Sequence, residues 1–279
     1  LKKSVVDAVE GFREKTQGAQ DWDLFLRAIE HIQGYSQHPW DPSCQIQHID
    51  TILYSWRKSE TSTASEKHSL TAKDYAYTAQ EKVLVDFFAS RGGAVVTPTR
   101  YLGIYDIQPS IADCHLVSII IPTKDGVNFV EKLVASIRTH NTNTKIEIII
   151  VSNNSTDESN QAFSSLTQGT GRVVEYNESF NFSRLCNLGA QHASGDVLLF
   201  MNNDTEVLED TWIDRMLCFA VQPEIGAVGP RLLYPNDRIQ NNGLVFASQI
   251  HHESISTGDF VAPYFRNSHP LQNFGVGTV

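Results

Sequence analysis

Val197-Leu198-Leu199-Phe200-Met201 runs without a break into Asn202-Asn203-Asp204, and the reading of this junction decides the fold. Five apolar residues of this kind read as a buried strand. They deliver the Asn-Asn-Asp turn, followed by Thr205-Glu206-Val207, to the carboxyl edge of a sheet, where open α/β sheets bind ligands. One carboxylate beside amide side chains suits a divalent cation that also carries a diphosphate. Mg²⁺ takes only one or two protein carboxylates and fills its other positions with phosphate oxygens and water. Asn and Asp are also ordinary turn residues, so taken alone the stretch reads more simply as a strand that ends in a polar turn.

The surroundings change that balance. Leu116-Val117-Ser118-Ile119-Ile120-Ile121 is a second apolar run, ending in Pro122-Thr123-Lys124-Asp125-Gly126. Ile146-Glu147-Ile148-Ile149-Ile150-Val151 is a third, ending in Ser152-Asn153-Asn154-Ser155-Thr156-Asp157. Each is rich in β-branched residues, bounded by turn formers and too short for a helix, which predicts buried parallel strands. Between the first two, Phe129, Leu133 and Ile137 recur every fourth residue with Val130 and Val134 beside them, the pattern of an amphipathic helix over 129–140. Strand, helix, strand and then an Asp/Ser-rich opening to another helix argue for an α/β, doubly wound nucleotide-binding half. All three polar loops would then sit at carboxyl ends of strands, where they can converge on one ligand.

The ordered series of motifs resembles the family 2 glycosyltransferases. It comprises Val117-Ser118-Ile119-Ile120-Ile121-Pro122-Thr123-Lys124-Asp125, Val151-Ser152-Asn153-Asn154-Ser155-Thr156-Asp157, Phe180-Asn181-Phe182-Ser183-Arg184, Asn187-Leu188-Gly189-Ala190 and Phe200-Met201-Asn202-Asn203-Asp204. Gly226-Ala227-Val228-Gly229-Pro230 and Arg238-Ile239-Gln240-Asn241-Asn242-Gly243 extend the likeness, which covers residues 117–279. The resemblance implies an α/β, Rossmann-like nucleotide-diphospho-sugar transferase (GT-A-like) fold with a mixed, mainly parallel sheet and flanking helices. It places Pro122, Thr123 and Asp125 against the base and ribose of a nucleotide-diphospho-sugar donor. Ser152 and Asn153 fall in the loop that contacts the base, and Asn181, Arg184 and Asn187 near base and diphosphate. Asn202-Asn203-Asp204 stands where the family carries Asp-x-Asp, with Asp204 as the ligand of Mg²⁺ or Mn²⁺. Two positions depart from the family. Ser152 replaces an Asp that reads uracil, and Asn202 replaces the first Asp of the metal motif, which removes one charge.

The beginning of the chain resembles the back half of the same family. Val9-Glu10-Gly11-Phe12-Arg13-Glu14 precedes Gln20-Asp21-Trp22-Asp23-Leu24-Phe25-Leu26-Arg27, where the family has a Gly-Gly-Phe turn and a Glu-Asp-x-Asp-Leu helix. The general base implied at that place is Asp21. The same residues also read as a surface helix with Leu24 and Ile29 inward and both acids serving its first turn, where the helix dipole favours them. A strand closing the back half is expected over 49–57. The expected organisation is a back-half segment over 1–58, a linker over 59–115 with a helix over about 71–91, and a nucleotide-sugar-binding half over 116–279. Thr71 caps that helix, and Gly92-Gly93 stops it. Back-half motifs thus precede front-half motifs. Tandem domains in a longer polypeptide explain that order, and so does a circular permutation, because the two ends nearly continue one another. Either would let the pieces complement within one molecule or between two copies, by self-association.

Composition narrows the alternatives. The 279 residues are 41% hydrophobic and 10% aromatic, enough for a real core, and 22 basic against 32 acidic residues leave a formal charge of −10. That charge opposes phosphate-backbone binding, so nucleic acid is not an expected partner. No apolar run approaches the roughly 20 residues that span a bilayer, so the expectation is a cytoplasmic protein, peripheral at most to the inner membrane face. Cys44, Cys114, Cys186 and Cys218 form no Cys-x-x-Cys pair, and the last two read as ordinary buried thiols in a reducing compartment. His251-His252 makes a poor metal pair, and His31, His38 and His48 read as satisfied polar groups.

The chemistry implied by the resemblance is inverting transfer of a sugar from the nucleotide donor to a saccharide acceptor, in bacterial surface polysaccharide synthesis. The cation would offset charge on the departing diphosphate, and a carboxylate would take the acceptor's proton. Residues 117–279 supply no good base, so the chain by itself is expected to bind donor and transfer poorly. A non-catalytic nucleotide-sugar-binding module and a scaffolding domain are the other classes. A nicotinamide-binding Rossmann enzyme is much less favoured, because Pro122-Thr123-Lys124-Asp125 stands where Gly-x-Gly-x-x-Gly would follow the first strand.

Overall fold

The computed structural model describes residues 1–33, 53, 74–99, 103–111, 113–140, 143–223, 225–241, 244–245, 253–254 and 276–278. The chain divides into two compact units, Leu1–Ser110 and Ile111–Val279. Outside the described residues fall the 49–57 run apart from Leu53, the Ser/Thr-rich 59–66 stretch, Cys44, His38, His48, His251 and His252.

The first unit contains helices α1 (Lys3–Ala8), α2 (Gln20–Gln33) and α3 (Asp74–Ala89), then an antiparallel hairpin of β1 (Ala94–Pro98) and β2 (Tyr105–Pro109). The α3 helix ends where the glycines predict, with the Gly93 N–H returning to the Phe88 carbonyl at 2.8 Å. Residues 74–110 are not a free-standing connector. Val83 and Leu84 of α3 are buried, Trp22 meets Tyr105 edge-on at 6.0 Å, and Ser90 Oγ donates to Glu30 at 2.9 Å. An apolar helix face needs cover, and α2 provides it. Asp23 behaves differently from its neighbour Asp21. Its side chain is 1% exposed between Arg13 and Arg27, while Asp21 is exposed on the first turn. Burial pushes the Asp23 carboxyl up, but hydrogen bonds and charge from the two guanidiniums outweigh it and hold it below the usual carboxylate range.

The second unit is built on a four-stranded parallel sheet ordered β5-β4-β3-β6, from β3 (Leu116–Thr123), β4 (Lys145–Asn153), β5 (Gly171–Tyr176) and β6 (Val197–Phe200). Helices α4 (Val127–His140), α5 (Asp157–Thr167) and α6 (Phe182–Gln191) make the crossovers, and α7 (Trp212–Ala220) follows β6. This is the predicted α/β class, a parallel sheet flanked by helices. The side-chain period of two sorts the core. Val117, Ile119, Ile121, Ile148 and Ile150 pack with Leu133, Ile137 and Phe163, whereas Ile120, Ile149 and Val151 pack with Leu185 on the opposite face. Because both faces are covered, the middles of β3 and β4 read as near-continuous apolar runs, broken by Ser118 and Glu147 toward their amino ends. Gly189 lets α6 lie this close, since a Cβ there would stand 2.4 Å from Ile120 Cγ2.

Two expectations need correction. The strand β6 is not buried on both faces: Leu198 is 41% and Phe200 49% exposed, because β6 is the last strand in the order and α6 covers its neighbours. Phe129, counted among the inward positions of α4, is 57% exposed, and Val130, Leu133, Val134 and Ile137 carry the buried stripe. Short pieces complete the unit: β7 (Ala227–Gly229), β8 (Leu232–Leu233), β9 (Ile239–Asn241), β10 (Leu244–Val245), β11 (Glu253–Ser254) and β12 (Val276–Thr278). The thiols differ, with Cys218 buried, Cys186 half-buried and Cys114 exposed. No helix among the described residues is long and apolar enough to cross a membrane.

Candidate functional site

Strand order locates the site. From β3 the chain adds β4 and then β5 on one side, and β6 returns to the other side of β3. The reversal between β3 and β6 is a topological switch point, and ligands of open α/β sheets bind in the crevice at its carboxyl end. The loops that flank this crevice are 122–126 after β3 and 201–206 after β6, and one hydrogen bond spans them, from Asn203 Nδ2 to Thr123 Oγ1 at 2.9 Å. Thr123 Oγ1 in turn donates to the Asp125 carbonyl at 3.0 Å. A hydroxyl has one proton, so with that proton on Asp125 the Thr123 oxygen must accept from Asn203. This fixes the amide orientation and leaves the Asn203 carbonyl oxygen as its available group.

The loop after β4 joins the same cluster. Asp125 and Asn154 both adopt left-handed backbone, with φ of +48° and +49°, a conformation that short polar side chains tolerate. The Asp125 N–H donates to Ser155 Oγ at 2.9 Å, and its carboxylate accepts from the Thr156 N–H at 2.9 Å and Ser159 Oγ at 3.0 Å. Those two donors hold the Asp125 carboxyl below the usual range. Three loops on three strands are thereby fastened tip to tip. Ser155, Thr156 and Ser159 were not singled out from the sequence. The available signal was Thr156-x-x-Ser159, the spacing of a helix N-cap, and Thr156 does cap α5 by accepting the Ser159 N–H at 3.2 Å.

The remaining residues named from the sequence divide by exposure. Ser152 is 1% and Asn153 2% exposed. Ser152 Oγ donates to Asn160 Oδ1 at 2.6 Å, and Asn153 Nδ2 to the Tyr176 and Glu178 carbonyls at 3.0 Å each. Their side chains are engaged in shaping the β4 loop. Pro122 is half-buried, and Asn181, Arg184, Asn187, Asn202 and Asp204 are exposed. Asn181 caps α6 by accepting the Arg184 N–H at 3.0 Å, and the Arg184 guanidinium reaches Glu178 at 3.2 Å. Asp21 belongs to the other unit.

For a divalent cation the donor set is lean. Among the described residues no three His, Cys, Asp or Glu side chains gather to hold a metal ion. Asp204 with the Asn202 and Asn203 amide oxygens is a set of hard oxygen donors that leaves most positions to phosphate and water, which fits Mg²⁺ or Mn²⁺ bound together with a diphosphate. A cleft of about 170 Å³ in the first unit is lined by Arg13, Asp23, Arg27, Glu30 and Asp86 among others. Its charges are already paired, Arg13 and Arg27 with Asp23 and Lys15 with Asp86. The strand-end loops are therefore the better site.

A parallel α/β sheet whose polar loops gather at its switch point defines the open α/β class, whose members bind ligands in that crevice. The family model described as glycosyl transferase family 2 matches residues 118–262, and the chain belongs to that family. It is similar to an uncharacterized protein of Sinorhizobium fredii, 33% identical over 251 residues that make up 87% of this chain and 26% of that protein. It is also similar to the O-antigen biosynthesis protein RfbC of Myxococcus xanthus, 32% identical over 248 residues, 88% of this chain and 18% of that protein. The chain thus spans only 26% and 18% of the length of these curated relatives. Among solved structures it is similar to the mannosyltransferase PcManGT from Pyrobaculum calidifontis in complex with GDP-Man and Mn²⁺, at 21% identity and a TM-score of 0.42, covering 46% of this chain and 39% of that one.

Proposed function

We propose that residues 116–279 form the donor-binding half of an inverting glycosyltransferase that takes a nucleotide-diphospho-sugar and serves surface polysaccharide synthesis. The observation that carries the reading is the Asn203–Thr123 hydrogen bond, which closes the switch-point crevice and leaves the exposed Asp204 carboxylate beside it. Asp204, with the amides of Asn202 and Asn203, would hold Mg²⁺ or Mn²⁺. The cation, when bound, supplies charge that offsets the departing diphosphate. Arg184, Asn181 and Asn187 offer exposed hydrogen-bonding groups on the first turns of α6, where a helix N-terminus favours an anion. Pro122, Thr123, Asp125, Ser152 and Asn153 shape the wall against which base and ribose rest. Burial of Ser152 where the family has an acid supports a donor whose base is not read by a carboxylate.

The proton of the saccharide acceptor's hydroxyl goes to Asp21 in this reading, because it is the exposed acid of the base motif, whereas Asp23 is committed to two arginines. Since back-half motifs precede front-half motifs, Asp21 and Asp204 belong to successive tandem domains, and each site is completed by complementary segments of the longer protein or of a second copy. Calorimetry with UDP, GDP and dTDP, with and without Mn²⁺, tests the donor site. Mn²⁺-dependent binding of one nucleotide is expected, at least about tenfold weaker in Asp204→Ala with an unchanged melting temperature. Absence of binding to all three in Mn²⁺ would overturn the reading.

A further inference from the structure

Three residues assigned to the site are joined by hydrogen bonds, with Thr123 buried and Asp125 and Asn203 half-buried. Asn203 donates to Thr123, Thr123 donates to the Asp125 carbonyl, and Asp125 accepts from Thr156 and Ser159. The chain of bonds starts on the loop of Asp204, crosses the tip of β3 and ends on the first turn of α5, beside Asn153 and Asn154. Its centre is firm, since Thr123 is 5% exposed and Asp125 is held in left-handed backbone with Gly126 following at φ +65°. The Asn203 amide also lies against this turn, 3.6 Å from where a Cβ on Gly126 would stand, an ordinary van der Waals separation.

We infer that Asn203, Thr123 and Asp125 act as a latch that makes the cation loop and the base loop one cooperative element, with the Asn203 N–H and the Asp125 carboxylate spent on positioning and only the Asn203 carbonyl oxygen left for the cation. The inference rests on the proposed donor site and deepens it. A cation on Asp204 orders its own loop, and through Asn203 and Thr123 that order reaches the amide of Thr156, two strands away. Diphosphate and base would then be gripped together, since either ligand lowers the cost of ordering the loops for the other.

Hydrogen exchange at the Thr156 amide of the full chain, first without ligand, tests the latch directly. Asn203→Ala removes no bond made by Thr156, yet should speed its exchange about fivefold, the value of one ordinary hydrogen bond. Asp125→Asn, which weakens the acceptor of that amide, sets the scale for a direct effect. Thr123→Val should match Asn203→Ala, and the double variant should be no faster than either single one. Thr156 exchange unchanged in Asn203→Ala, or effects that multiply in the double variant, would overturn the latch. The second arm adds Mn²⁺ alone, which should slow Thr156 exchange in the wild type and not in Thr123→Val, a variant that cuts the link and leaves Asn202, Asn203 and Asp204 in place for the cation. A general loss of loop stability would leave that Mn²⁺ response in place, and this outcome too would refute a positioning role. The nucleotide calorimetry decides the donor site separately, so a protein that binds no nucleotide but shows the ligand-free coupling keeps the latch and loses the proposed function.

Discussion

The two ends of the central sheet treat polar side chains in opposite ways. At the amino end, Glu147 of β4 is 9% exposed and fully engaged. It accepts from Ser118 Oγ at 2.6 Å and from the Gly195 N–H at 3.1 Å, with the Ser194 N–H and Arg172 also against its carboxylate. His115 and Asp196 pair alongside, and Asp196 accepts the Leu116 N–H at 3.1 Å. At the carboxyl end, Asn181, Arg184, Asn187, Asn202 and Asp204 are left exposed above a fastened ring of loops. Buried polar groups must be paired because an unmet hydrogen bond in the interior is costly, whereas exposed ones are met by water until a ligand arrives. One end stabilises the fold, and the other keeps polar groups open to solvent where the proposed donor site lies.

The largest effect expected from this division is at Gly195. A Cβ there would lie 2.3 Å from the Leu116 carbonyl oxygen and 2.6 Å from Ser118 Oγ, in the middle of the Glu147 cluster. Gly195→Ala should destabilise the chain by about 3 kcal/mol, the upper range for overpacking. At 2–4 °C per kcal/mol for a domain of this size, thermal unfolding should then start roughly 6–12 °C lower. Loss of nucleotide affinity without loss of stability would break the comparison.

Glu147→Ala comes next, because it takes away the acceptor of the Ser118 hydroxyl and of the Ser194 N–H, while the Gly195 N–H keeps Ser118 Oγ at 2.9 Å, for about 2–3 kcal/mol. Burial alone pushes the Glu147 carboxyl up, but hydrogen bonds from Ser118, Ser194 and Gly195, with the Arg172 charge, outweigh it and hold it below the usual range. A carboxyl lowered on folding stabilises above its unfolded value of about 4.3–4.5, and that contribution disappears as pH falls through the folded value. Urea midpoints should therefore separate wild type from Glu147→Gln at pH 7 and converge toward pH 3. Equal separation at both values would show that the charge does not matter.

The smallest stability effect belongs to the carboxyl end. Arg184→Ala loses exposed interactions with Glu178 and Tyr176 that water screens, so its melting temperature should stay close to that of the wild type. Nucleotide binding, by contrast, should weaken about tenfold by calorimetry, the two readouts moving opposite to those of Gly195→Ala. A melting temperature that falls as far as in Gly195→Ala would erase the distinction between the two ends.

How much of this was legible beforehand depends on whether a property is local. The strands over 116–121 and 146–151 and the helix over 129–140 were readable because β-branched runs and a fourth-residue repeat are features of neighbouring residues, and the structure extends each by only a few positions. The exposure of Leu198 and Phe200 was not readable, since an edge strand with one covered face can carry the same apolar run as a central one. Nor was the difference between Asp21 and Asp23. Both suit a helix N-terminus, and only the approach of Arg13 and Arg27 separates them.

From the sequence alone came the family, the α/β class and the placing of polar loops after apolar strands, all written in short-range spacing. The tertiary structure alone decided which of those polar residues were left exposed and which were taken up by other groups. Ser152 and Asn153 are taken up by Asn160 and by carbonyls at the end of β5, and Asn203 by Thr123, 80 positions earlier in the chain. A hydrogen bond has length and direction but no sequence period, so its partner is settled only once distant strands lie side by side.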